Sequence, residues 1–161
     1  MKIEKIIAKK DKGDFLNYTP QGSSYKQRDN CNLMLLVDLI RTNIFKEIYE
    51  YEIGQIIYPF GSSDDWSVRY GDNQDDNDSY ISFYDYWVEQ SADDGNSGIQ
   101  LNKLNSLKIM TKNNLLDLIQ SWFIIVQKKP QYIVITRDDK GLITLEYKET
   151  LSIEDQHYNN I

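Results

Sequence analysis

Catalysis needs nucleophiles, bases, metal ligands or phosphate cradles, and this chain is poor in all but one class. His157 is its only histidine and sits in a polar C-terminal stretch, and Cys31 is its only cysteine, with no histidine nearby in sequence. A histidine in such a tail reads as a surface residue. A lone thiol beside an apolar run reads as a small buried side chain. Together they cannot build the multi-ligand cage that zinc requires, and one cysteine allows no intrachain disulfide. No phosphate-cradling glycine loop and no Gly-x-Ser-x-Gly elbow occurs. Carboxylates are the exception. Asp72, Asp75, Asp76 and Asp78 fall within seven positions, and paired carboxylates serve glycoside hydrolysis or magnesium binding. The run lacks the central glycine and distal glutamate of a calcium loop, so the ordinary reading is a solvated acidic loop. The expectation is a protein that is not an enzyme, with no catalytic residues, no cofactor and no metal.

The acids are concentrated. Between Gly61 and Gly98 lie ten of them, against Arg69 as the single base, whereas the rest of the chain holds 17 bases and 15 acids. The net charge of −7 therefore resides in the middle quarter. That segment is also aromatic, and rings argue against an acidic disordered linker. They point to strands joined by polar loops. Tyrosine and tryptophan offer rigid contact area at low entropic cost, and surrounding carboxylates steer a basic partner. The candidate partner-binding set is accordingly Asp64, Asp65, Trp66, Tyr70, Asp72, Asp75, Asp76, Asp78, Tyr80, Tyr84, Asp85, Tyr86, Trp87 and Glu89, the rings acting as anchors where they are exposed. The plainer alternative is a sheet with its rings in the core and its aspartates solvating the loops. Direct binding to nucleic acid is disfavoured, because it needs a basic face to displace counterions.

The elements that must position these residues follow from periodicity. Leu33, Val37, Ile40, Ile44, Ile48 and Tyr51 recur at helical spacing. They predict a helix over 32–51, capped by Asp29 or Asn30, interrupted near Thr42-Asn43 and ended by Gly54. Leu115, Leu118, Ile119, Trp122 and Val126 predict a second amphipathic helix with Thr111 as N-cap and Lys128-Lys129-Pro130 at its end. Trp122 belongs to its buried stripe. Gln131–Arg137 and Leu142–Lys148 read as a hairpin with Gly141 at a positive-φ position. Strands are also expected at 53–58, 80–89 and 107–110, with 2–9 either strand or helix. Residues 17–30, 71–79 and 91–98 read as loops and 150–161 as a fraying tail. The whole is one α+β domain over 1–161, a mainly antiparallel sheet against two principal amphipathic helices. Met1–Lys12 carries charge and no apolar run of signal-peptide length, and no stretch reaches a membrane span. A cytoplasmic protein without membrane contact is expected.

The helix-plus-hairpin ending at Thr111–Glu149, with Trp122-Phe123 leading through Lys128-Lys129-Pro130 into the two strands, resembles that of several bacterial immunity proteins. These neutralise polymorphic toxins, including those of contact-dependent growth inhibition systems. The resemblance covers about a quarter of the chain and places it in no subfamily; neither a barstar-like nor an SMI1/KNR4-type pattern is present. It implies stoichiometric occlusion of a cognate toxin, commonly a nuclease whose cleft is basic. Two other readings stand beside it: an acidic mimic of nucleic acid that blocks a DNA- or RNA-binding protein, and a carboxylate-dependent metal-binding enzyme.

Overall fold

The structure is a computed structural model that describes residues 4–13, 16–21, 32–55, 66–70, 79–85 and 106–159. The fold is α+β. Four strands form an antiparallel sheet in the order β2-β1-β6-β7: β1 is Glu4–Lys10, β2 is Tyr18–Pro20, β6 is Tyr132–Arg137 and β7 is Ile143–Lys148. A second antiparallel sheet has the order β3-β4-β5: β3 is Trp66–Tyr70, β4 is Ile81–Asp85 and β5 is Ser106–Ile109. The helices are α1 (Met34–Ile40), α2 (Ile44–Glu52), α3 (Lys112–Lys128) and α4 (Ile153–Asn159).

Alternation decides what each strand contributes to the core. Ile6 lies opposite Ile135 and Ala8 opposite Ile133, and Ile135 in turn lies opposite Leu145. These apolar side chains share one face and are buried against Leu115, Leu118, Ile119, Trp122 and Ile125 of α3. Those five recur at spacings of three and four, so one helical stripe covers the sheet. Ile81 and Phe83, with Leu107 and Ile109, present the second sheet to the same core. Phe45 of α2 joins the two halves, its ring 5.9 Å from both Phe83 and Trp122.

Local chemistry sets the ends of the elements. The Thr111 side chain accepts the Asn114 N–H at 3.0 Å and caps α3. Lys129 closes the helix at φ 46°. In the hairpin, Asp138 Oδ1 accepts the N–H groups of Lys140 and Leu142, and Gly141 takes φ 85°, where a side chain would be strained. Arg41–Asn43 separates α1 from α2, as the spacing predicts. The carbonyl of Ile40, left open at the end of α1, accepts the Trp122 Nε1–H at 2.8 Å.

Several expectations need correction. Residues 53–55 are not strand: α2 continues to Glu52, and Gly54 at φ 80° turns the chain; residues 56–58 lie outside the described residues. Part of the predicted 17–30 loop is β2, held because Tyr18 is buried and donates its hydroxyl proton to the Pro130 carbonyl at 2.6 Å. The C-terminal stretch is helical through Asn159. Ser152 Oγ accepts the Asp155 N–H at 3.1 Å, and buried Asp155 is paired to Lys5 and, at 3.4 Å, to Lys148. The expected caps Asp29 and Asn30, and Cys31, lie outside the described residues; α1 begins after Leu33 without a side-chain cap.

Candidate functional site

Of the fourteen predicted contact residues, Asp64, Asp65, Asp72, Asp75, Asp76, Asp78, Tyr86, Trp87 and Glu89 lie outside the described residues, and only the backbones of Trp66 and Asp85 are described. Tyr70, Tyr80 and Tyr84 are fully placed. Tyr84 is 1 % exposed. It cannot anchor a partner without unfolding its strand, so its assignment to the contact surface is withdrawn. Its neighbour Phe83 is equally enclosed, because both faces of β4 are covered. Alternation alone would have left one of the two in solvent.

The described strands fix where the acidic connections attach. Tyr70 pairs with Ile81, and Trp66 with Asp85. The stretch carrying Asp72, Asp75, Asp76 and Asp78 therefore leaves and re-enters one end of the sheet. Asp64 and Asp65 lead into Trp66, and Tyr86, Trp87 and Glu89 follow Asp85, all at the opposite end. A strand of five residues is about 17 Å long, so the predicted set attaches as two groups rather than one.

At the Tyr70 end, β3 and β4 meet the last turn of α2 in a cluster that sequence reasoning did not anticipate. The Tyr51 and Tyr70 rings are 5.0 Å apart, and those of Tyr70 and Tyr80 are 5.7 Å apart, edge to face. Tyr80 donates its hydroxyl proton to the Glu52 carboxylate, 2.9 Å from Oε1 and 3.2 Å from Oε2. Lys112 Nζ stands 3.6 Å from the same carboxylate, whose side chain is only 5 % exposed. The Tyr70 hydroxyl is buried and makes no hydrogen bond of ordinary geometry. Burial pushes its pKa up, and the nearby Glu52 charge pushes it further. Tyr80 is raised to about 12 by burial and by its bond to Glu52. Tyr70 and Tyr80 therefore stay protonated at neutral pH. Tyr80 and Lys112 converge on one buried carboxylate, which ties the residue before β4 to α2 and α3. Sequence gave little signal for it: Glu52 and Lys112 are 60 positions apart and ordinary in type.

Among the described residues, no three His, Cys, Asp or Glu side chains converge as a metal site would require. His157 is exposed on α4. No described helix is long and apolar enough to cross a membrane. Comparison of the chain with protein-family models, curated proteins and solved structures returns no match.

Proposed function

We propose that this protein is a cytoplasmic immunity protein that binds a basic, nuclease-like toxin domain and neutralises it by stoichiometric occlusion. The observation that carries the reading is the charge distribution: ten acids against one base between Gly61 and Gly98, in a chain otherwise near balance. The β3-β4-β5 sheet gives those acids a scaffold, with part of the set attached at each end. Carboxylates presented this way attract a phosphate-binding cleft and accelerate encounter. On this reading the protein acts by binding and not by turnover.

The test is a titration of purified protein into the activity assay of any toxin domain encoded at its native locus, repeated across ionic strengths. Complete inhibition near one-to-one, with association slowed by salt much more than dissociation is changed, is the expected result. Sub-stoichiometric amounts that progressively inactivate the toxin or consume its substrate would mark an enzyme and overturn the proposal.

A further inference from the structure

Residues in an antiparallel ladder alternately bond toward their neighbour and point away from it. The Leu142 carbonyl accepts the Asp138 N–H across the hairpin. By the register, Thr144, Glu146 and Lys148 likewise bond toward β6, while Ile143, Leu145 and Tyr147 direct their backbone groups outward. Asn114 of α3 shows what that outer edge accepts. Its Nδ2 donates to the Ile143 carbonyl at 2.7 Å, and its Oδ1 accepts the Ile143 N–H at 2.9 Å. These are the two bonds a residue of a neighbouring strand would make. Beyond Ile143 the edge is open: among the described residues nothing pairs the N–H and C=O of Leu145 or Tyr147.

The helix alongside carries matching charges. A cleft of about 240 Å³ separates α3 from this edge, with Asp117 and Ser121 on the helix side and Leu145 on the strand side. Asp117 is exposed and forms no ion pair among the described residues. Lys128, eleven positions on, is exposed and lies over the Tyr147 ring, 5.1 Å from its centroid.

We propose that the open edge of β7 and the adjoining flank of α3 form a two-fold interface with a second copy of this chain. The occupant follows from charge complementarity. With β7 antiparallel to its copy and Tyr147 opposite Tyr147, Leu145 pairs with Glu149 of the second copy and Glu146 faces Lys148 of the second copy, each twice, Lys148 also lying 3.4 Å from Asp155 and 3.9 Å from Glu146 of its own chain. A register centred on Glu146 would instead oppose two like charges, which is destabilising. The helices obey the same axis. From the level of Asn114 and Ile143, four strand residues and eight to nine helical residues both advance about 13 Å. The axis through Tyr147 therefore passes near Trp122-Phe123 and sets Asp117 against Lys128 of the second copy, again twice. Net charge does not oppose the pairing: between Ser106 and Asn159 seven acids meet seven bases, so the acidic excess lies elsewhere in the chain. The inference is independent of the toxin-binding proposal.

Sedimentation velocity over a range of concentrations tests it. The 19.0 kDa chain is expected to sediment as a dimer at the upper end of the range. Tyr147→Pro deletes only an outward N–H, which an edge strand tolerates, and should give a monomer with its melting transition retained. Asp117→Lys repels Lys128 of the second copy and should raise the dissociation constant about tenfold; adding Lys128→Asp should restore association. A wild-type chain that is monomeric throughout, a dimer that survives both single substitutions, or a double variant without restoration would each overturn the inference. Should Tyr147→Pro fail to fold, the charge swap decides alone, because both its positions are exposed.

Discussion

Single side chains here hold more than their own burial. Trp122 is 4 % exposed and also closes the end of α1 through the Ile40 carbonyl. Trp122→Ala is expected to lower stability by about 3–5 kcal/mol, through lost burial and a cavity. Trp122→Phe keeps most of the ring but leaves that carbonyl unbonded, a cost of about 1–3 kcal/mol; denaturant melts of both variants measure the difference. Asp155 makes a different test. Burial alone would raise its pKa, but Lys5 and Lys148 outweigh burial and hold it below the usual carboxylate range. A lowered folded pKa means that its stabilisation is present above the unfolded value of about 3.9 and is lost as pH falls through the folded value. Asp155→Asn should flatten the acid limb of a stability–pH curve. The tyrosines act at the other end. Tyr18, raised to about 12 by burial and by the charge of Glu149, joins Tyr80 at the same value. Groups raised in the folded state contribute stability fully below their unfolded pKa and lose it as pH rises through the folded one. Melting temperature should therefore fall between pH 10 and about 12 as tyrosinate absorbance grows.

At the scale of elements, the sequence was informative where period and punctuation agreed. α3 was legible from a five-residue stripe, a threonine cap and a closing proline, and the hairpin from its glycine. The break between α1 and α2 was legible too. What failed did so for tertiary reasons. β2 has three residues and an unremarkable composition, and it exists because β1 offers it an edge and Tyr18 finds the Pro130 carbonyl. α4 looked like a tail because its anchor, Asp155, is polar, and its partners stand 150 and seven positions away. Tyr84 looked like a contact residue because alternation says nothing about whether a second layer covers the outer face. The Glu52–Tyr80–Lys112 cluster joins three elements by contacts that no local pattern encodes.

For the whole molecule, charge and fold are partly separable. The acids between Asp72 and Asp78 attach to β3 and β4 through Tyr70 and Ser79, while the core is built from residues elsewhere. On the proposed function, reversing Asp72, Asp75, Asp76 and Asp78 to lysine should weaken capture of the basic toxin domain at low salt at least about tenfold. The melting temperature should hardly change, since the described core is built from other side chains. Calorimetric or surface-capture affinities beside a thermal melt would decide it; unchanged affinity at low salt would assign the interface to the other acidic group, around Trp66 and Asp85, or to another face.

The register of β1 against β6 carries a consequence for how the chain comes to be folded at all. Glu4 lies opposite Arg137, so the strand made first finds its central partner 133 positions later. At about 5–20 residues per second of synthesis, Ile6 and Ile7 must wait on the order of ten seconds for the strand that pairs with them. Until then β1 offers apolar side chains and unpaired backbone to whatever is near. Lys2, Lys5, Lys9 and Lys10 surround them, and repulsion between the cationic strands of neighbouring nascent chains opposes their pairing with one another. Two of these lysines then take other roles in the finished molecule, Lys5 on Asp155 and Lys10 on the Lys129 carbonyl.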